Sequence, residues 1–110
     1  GYTTVFNKSE MKKMTSEAQK ILGIFHQGNM DVWLDRNVYR DNLKNPDGDP
    51  LGQGQAPTDQ PDLHEMTMAA IEVLSKNENG FYLMVEAASI DKAAHALDIE
   101  RAISDLIEMD

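Results

Sequence analysis

The sequence predicts an α/β fold, part of a three-layer α/β/α arrangement with a largely parallel central sheet and a long surface loop. Three observations predict it. Phe81 to Val85 is a run of five uninterrupted apolar residues between Gly80 and Glu86, the pattern of a strand buried on both faces, as in a parallel sheet covered by helices. A helical repeat over 62–76 leads into that run through a very short connection, and a second apolar strand, Ile21 to Phe25, precedes both. Between Gln27 and Pro61 periodicity almost vanishes, and NPDGDPLGQGQAP is dense in turn formers.

In chain order, Tyr2 to Phe6 is a short β-rich run ended by Asn7, and Ser9 and Glu10 open a short helical piece through Met14. The strand Ile21 to Phe25 is stopped by Gly28 and Asn29. His26 at its end reads as a polar residue closing a strand rather than as a ligand. The 27–61 stretch is out of proportion in a compact domain and reads as a surface excursion from a larger protein. Within it Trp33 and Leu34 are expected to pin the loop to the body. The Asp47, Gly48, Asp49 triplet lacks the Glu and the spacing of a calcium loop and reads as a solvated turn.

The helix over 62–76 is well specified. Asp62 and Glu65 stand at capping-box spacing, and Leu63, Met66, Ala70, Val73 and Leu74 repeat on one face, with the methionines as core filler. His64 falls on the opposite, solvated face. After the 81–85 run, Ala87, Ala88 and Ser89 turn into another helix, with Ser89 expected to cap it. Ile99, Ile103, Leu106 and Ile107 form an apolar helical stripe still running at Asp110, so the chain is expected to be an internal fragment of a single domain in a longer polypeptide: the loop at 27–61, then helix, strand, a second helix and the start of a further helix over 62–110.

The candidate site is the stretch VEAASIDKAAHA, residues 85–96. Glu86 is the first charge after the predicted strand, at its carboxyl end, where open α/β sheets place ligand sites. Asp91 and His95 are four residues apart and project from one helix face, one turn above the other. A hard oxygen and a borderline imidazole at that spacing are a usual way to hold zinc, although spacing alone equally describes a solvated helical face.

The whole string carries more than the spacing. VEAASIDKAAHA resembles the metal-binding segment of the bacterial alkaline phosphatases, whose pattern is close to VEGASIDKxxHA in the same order and spacing. PDLHEMTMAAIEVLSKNENGFYLMVE (61–86) is similar to the helix and strand before that motif, ILGIFHQGNMDVWLDR (21–36) to the strand-to-loop segment ending in GNM, and GYTTVFNKSEM more loosely to the family; residues 40–60 are least alike. The resemblance implies hydrolysis of phosphate monoesters by a two-zinc, one-magnesium site through a phosphoserine. It implies Glu86 as a magnesium ligand, Asp91 and His95 as two ligands of one zinc, and Lys92 as a residue that approaches the phosphate through water. It also implies a periplasmic or secreted homodimer. Ala87, where glycine is common, is a conservative departure. None of Ser9, Ser16, Ser75, Ser89 or Ser104 stands in the family's Asp-Ser-Ala-type setting, so the nucleophile and the remaining metal ligands are expected outside these residues, and the fragment alone is expected to be inactive.

Composition narrows the partners. A formal net charge of −9 argues against nucleic acid and anionic membranes, which select basic footprints. No run approaches the length of a transmembrane helix, and the first residues do not read as a signal peptide. Without cysteine there is no disulfide framework. Two other classes remain open: a non-catalytic metal-binding or interaction module, and a related superfamily hydrolase acting on diesters or sulfates.

Overall fold

The computed structural model describes residues 1–26, 28–42 and 59–110. Its elements are strand β1 (Thr3–Val5), helix α1 (Lys8–Thr15), strand β2 (Ile21–Gly23), helix α2 (Trp33–Asn37) followed by a 3-10 turn (Arg40–Asn42), and helices α3 (Leu63–Leu74), α4 (Ala88–His95) and α5 (Ile99–Met109). β1 and β2 pair in parallel with Thr3 opposite Ile21 and Val5 opposite Gly23, and α1 is the crossover between them. The mixed helix and strand content with a parallel pair is compatible with α/β.

The ends of α1 are set by local chemistry. Asn7 caps it, its side chain accepting from the Glu10 N–H at 2.8 Å, while the Glu10 carboxylate accepts from the Phe6 N–H at 2.7 Å. Asp59 holds the same end from a distant part of the chain, its carboxylate accepting from the Ser9 N–H and hydroxyl at 3.0 and 2.6 Å. At the other end the Lys76 ammonium donates to the carbonyls of Thr15 and Ser16, at the helix end, at 2.8 and 3.0 Å, and to that of Ala18 in the connection that follows at 2.8 Å.

One apolar cluster lies between these elements. Val5, Met11 and Phe25 are buried, with Met14, Ile21, Met30, Met66 and Ala69 packed against them. Methionine fills the irregular space, as expected of Met66. The stripe on α3 faces this cluster, Val73 is buried, and His64 is exposed. α3 begins at the expected capping box, with the Glu65 carboxylate accepting from the Asp62 N–H at 3.0 Å.

Three expectations need correction. Phe81 to Val85 forms no strand: Tyr82 is 87% and Met84 74% exposed, and among the described residues the sheet consists of β1 and β2. A strand exists only where a neighbour takes up its backbone N–H and C=O groups, and no described segment pairs with 81–85. Helix α3 accordingly packs on α1 and α5 rather than across a central strand. The stretch after Gln27 is not structureless, because Trp33–Asn37 is helical and packs on α5, so that Trp33 and Leu34, both half-buried, sit where pinning was expected. Ser89 does not cap α4: the helix begins two residues earlier than such a cap requires, with Ala87 in the cap position and no side-chain cap bond. The Asp47–Asp49 triplet, with Gln27 and the rest of residues 43–58 of the expected loop, lies outside the described residues.

Gly23 is needed for a close approach. A Cβ there would stand 2.6 Å from the ring of Phe25, which is buried and cannot swing aside without leaving the core. Gly23→Ala is therefore expected to cost about 1–3 kcal/mol in urea unfolding, the usual range for overpacking, whereas an exposed Gly1→Ala should cost nothing measurable.

Glu65 gives the fold an acid limit. Burial alone would raise its carboxyl, but hydrogen bonds from Lys12 at 2.8 Å, the Asp62 N–H and Lys8 outweigh that and hold it at about 2. A folded-state value below the unfolded one means that the contribution is complete above the unfolded carboxylate range and is lost as pH falls toward 2. Stability should decline over that interval, and Glu65→Gln should flatten the decline.

Candidate functional site

Residues of α4 and the segment before it face residues of α2, α5 and the 29–31 turn across a cleft of about 550 Å3. Glu86, Asp91, Lys92 and His95 all line it, together with Ser89. The sequence thus places four candidate residues on one cleft wall. Asp91 and His95 meet as their spacing requires, with carboxylate Oδ2 3.5 Å from imidazole Nε2 and both side chains more than four-fifths exposed, at 82% and 81%. Two ligands of a tetrahedral ion with bonds of about 2.0–2.1 Å stand roughly 3.3 Å apart, so the pair fits one edge of a zinc coordination shell with little movement. Among the described residues no group of three or more His, Cys, Asp or Glu gathers to hold a metal ion.

His26 stays out of the cleft lining. Its Nδ1 accepts from the Gly28 N–H at 3.0 Å, which leaves the proton on Nε2, and Nε2 is buried 3.9 Å from the Asp31 carboxylate.

The opposite wall holds residues that sequence reasoning missed: Asp31, Arg36, Asp105 and Glu108. Asp31 is anchored by Gln60, whose side-chain amide donates to its carboxylate at 2.8 Å and whose carbonyl oxygen accepts from its N–H at 3.1 Å. Arg36 is buried, with Nη2 donating to both Glu108 carboxylate oxygens at 2.8 and 3.0 Å and Nη1 to Asp62 at 2.6 Å. One signal could have pointed here. Arg101, Asp105 and Glu108 recur at 4 and 3 residues along α5, a polar stripe that periodicity assigns to solvent. In the structure this stripe faces α2, where Arg101 pairs with Asp35 through Nε and Nη2 at 2.9 and 2.7 Å and Asp105 accepts from the Trp33 N–H at 3.5 Å.

The cleft is strongly acidic. Asp31, Glu86, Asp91, Asp105 and Glu108 set five carboxylates against the two cations Arg36 and Lys92, and Arg36 is already paired. Such a lining attracts cations and opposes a phosphate dianion until cations are present.

A family model described as alkaline phosphatase matches residues 1–110. The chain is 39% identical over 114 aligned residues to alkaline phosphatase H of Pseudomonas aeruginosa (strain UCBPP-PA14) and covers 24% of that protein with 100% of its own length. Identity and coverage are the same, 39%, 100% and 24%, with the alkaline phosphatase of Escherichia coli (strain K12). With alkaline phosphatase 4 of Bacillus subtilis (strain 168) identity is 34%, over 96% of this chain and 18% of the relative. The chain therefore spans about a quarter of the length of the first two relatives.

Asp105 offers a test of the wall. Burial pushes its carboxyl up, and the neighbouring Glu108 charge adds to this against the hydrogen bond from Trp33. An acid raised in the folded state favours folding while protonated and opposes it once ionised. Asp105→Asn keeps an acceptor for Trp33 and should raise the urea midpoint at pH 7. The gain should vanish as pH falls through the carboxylate range.

Proposed function

Because the chain belongs to the alkaline phosphatase family, we propose that it is the part of a phosphate monoester hydrolase that supplies half of one zinc site, a magnesium ligand and a phosphate contact. The observation that carries this reading is the Asp91–His95 pair, 3.5 Å apart on the exposed face of α4 and directed at the acidic cleft.

The residues divide the work by their chemistry. Asp91 offers a hard carboxylate oxygen and His95 a borderline imidazole nitrogen. Glu86, on the same wall, is assigned to magnesium, which prefers carboxylate oxygen. Lys92 places a mobile ammonium in the same cleft, suited to a phosphate oxygen reached through water. Bound zinc and magnesium supply the charge that stabilises attacking and leaving oxygens in an in-line phosphoryl displacement. The acidity of the cleft supports this order of events, since without bound cations a dianionic substrate would be repelled. The serine nucleophile of the phosphoenzyme and the ligands that complete the metal sites are assigned to the longer polypeptide.

The same reading accounts for the exposed apolar surfaces. In a whole domain of three-layer α/β/α type, the exposed Phe81, Tyr82, Met84 and Val85 would be covered by the longer polypeptide, in a homodimer that is periplasmic or secreted. Exposed contiguous apolar surface of this kind marks an interface rather than a finished exterior.

Hydrolysis of p-nitrophenyl phosphate by the longer polypeptide tests the assignment. Activity should fall on chelation and return with zinc and magnesium. Asp91→Ala or His95→Ala should cost at least about 100-fold, more than outer partners of ligands usually do, while Lys92→Ala should cost about tenfold, one charge-assisted contact. An active enzyme indifferent to His95→Ala refutes the roles. Tight stoichiometric zinc binding by residues 1–110 alone would favour a self-sufficient metal module instead.

A further inference from the structure

We infer that Arg36 is a positioning residue for the Asp91–His95 pair, acting through Glu108 and α5; the inference rests on the zinc reading above. Among the described residues, α4 packs substantially against α5 and no other element. Whatever fixes α5 in the molecule therefore fixes where the pair stands relative to the Asp31 wall.

The way α5 is fixed is unusual. Its apolar stripe, Ile99, Ile103, Leu106 and Ile107, is exposed, and its polar stripe is the one that meets α2 and α3. Apolar contact is non-directional and tolerates sliding, whereas a forked guanidinium–carboxylate pair sets both distance and angle. Position here depends on the polar contacts.

Arg36 is the contact that joins the most segments. Its Nε donates to the Asp31 carbonyl at 2.8 Å, Nη1 to the Pro61 carbonyl at 3.1 Å and to Asp62 at 2.6 Å, and Nη2 to the two Glu108 oxygens at 2.8 and 3.0 Å. Glu108 in turn accepts from the Leu63 N–H at 2.8 Å. One side chain thus ties the Asp31 wall, the start of α3 and the last turn of α5. All three guanidinium nitrogens already donate to protein oxygens, so the group is engaged within the protein although it lines the cleft. An effect on the reaction through position passes through the metal pair.

The test uses the full-length enzyme, comparing wild type with Arg36→Lys and Glu108→Gln. Zinc affinity is read by competition with a chromophoric chelator, kcat and KM on p-nitrophenyl phosphate at limiting and excess zinc, and Tm on the metal-free protein. Arg36→Lys keeps the charge and loses the fork, and should weaken zinc by about 10–100-fold, the usual cost of disturbing what orients a ligand. It should lower kcat at limiting zinc, recover kcat in excess zinc, and leave KM unchanged. Glu108→Gln, which keeps shape and an acceptor, should do the same to a smaller degree. Wild-type zinc affinity in both variants overturns the inference, as does a raised KM with kcat kept, which would make Arg36 a substrate contact. A lower metal-free Tm with unchanged zinc affinity also overturns it, leaving a purely structural role. If Asp91→Ala binds zinc like wild type, the zinc reading itself has failed, a result distinct from any of these.

Discussion

The guanidinium of Arg36 draws oxygens from the 31 turn, the 61–62 segment and the end of α5 onto one plane, and the cleft is shaped around that plane. Burying an arginine is costly unless every donor is met, and truncating one partner of a buried pair leaves the other charge stranded. Glu108 is as deeply buried as Arg36, with side chains 7% and 9% exposed. The pair is therefore a constraint more than a source of net stability: it permits one arrangement of α2, α3 and α5 and penalises others. The Asp35–Arg101 pair repeats the device seven residues earlier on α5.

With the polar face of α5 spent on α2 and α3, its apolar stripe has nowhere to go but outward. The exposed Phe81, Tyr82, Met84 and Val85 add to the same kind of surface. The chain spans about a quarter of its relatives' length, and around α5 it buries Asp35, Arg36 and Asp105 while leaving Ile99, Ile103, Leu106 and Ile107 exposed, the pattern of a surface that meets further protein. The acidic cleft and the apolar surfaces thus ask for different complements, cations in one case and sheet or helix packing in the other.

Much of this was legible in the residues themselves. The β-rich start, the short helix after it, the strand at 21 and the capping box of α3 each follow from signals confined to a few neighbours, and the i, i+4 geometry of Asp91 and His95 follows from helical pitch alone. Phe81 to Val85 was misread because five apolar residues declare that burial is wanted, not that a pairing strand is available. The clamp was invisible for a related reason. Periodicity assigns a polar stripe to solvent, and only the approach of α2, a five-residue helix with no side-chain cap, shows that Arg101, Asp105 and Glu108 face protein. Serine next to a helix start suggested a cap at Ser89, but the backbone enters α4 two residues sooner, with Ala87 in the cap position.

The central claim is that Asp91 and His95 hold the same ion on the cleft face of α4. The most direct measurement is the anomalous difference density at the zinc edge in crystals of the full-length enzyme. A single zinc peak within about 2.0–2.2 Å of an Asp91 carboxylate oxygen and His95 Nε2 is the expected result. A fully loaded enzyme whose zinc peaks all lie beyond reach of either side chain would contradict it.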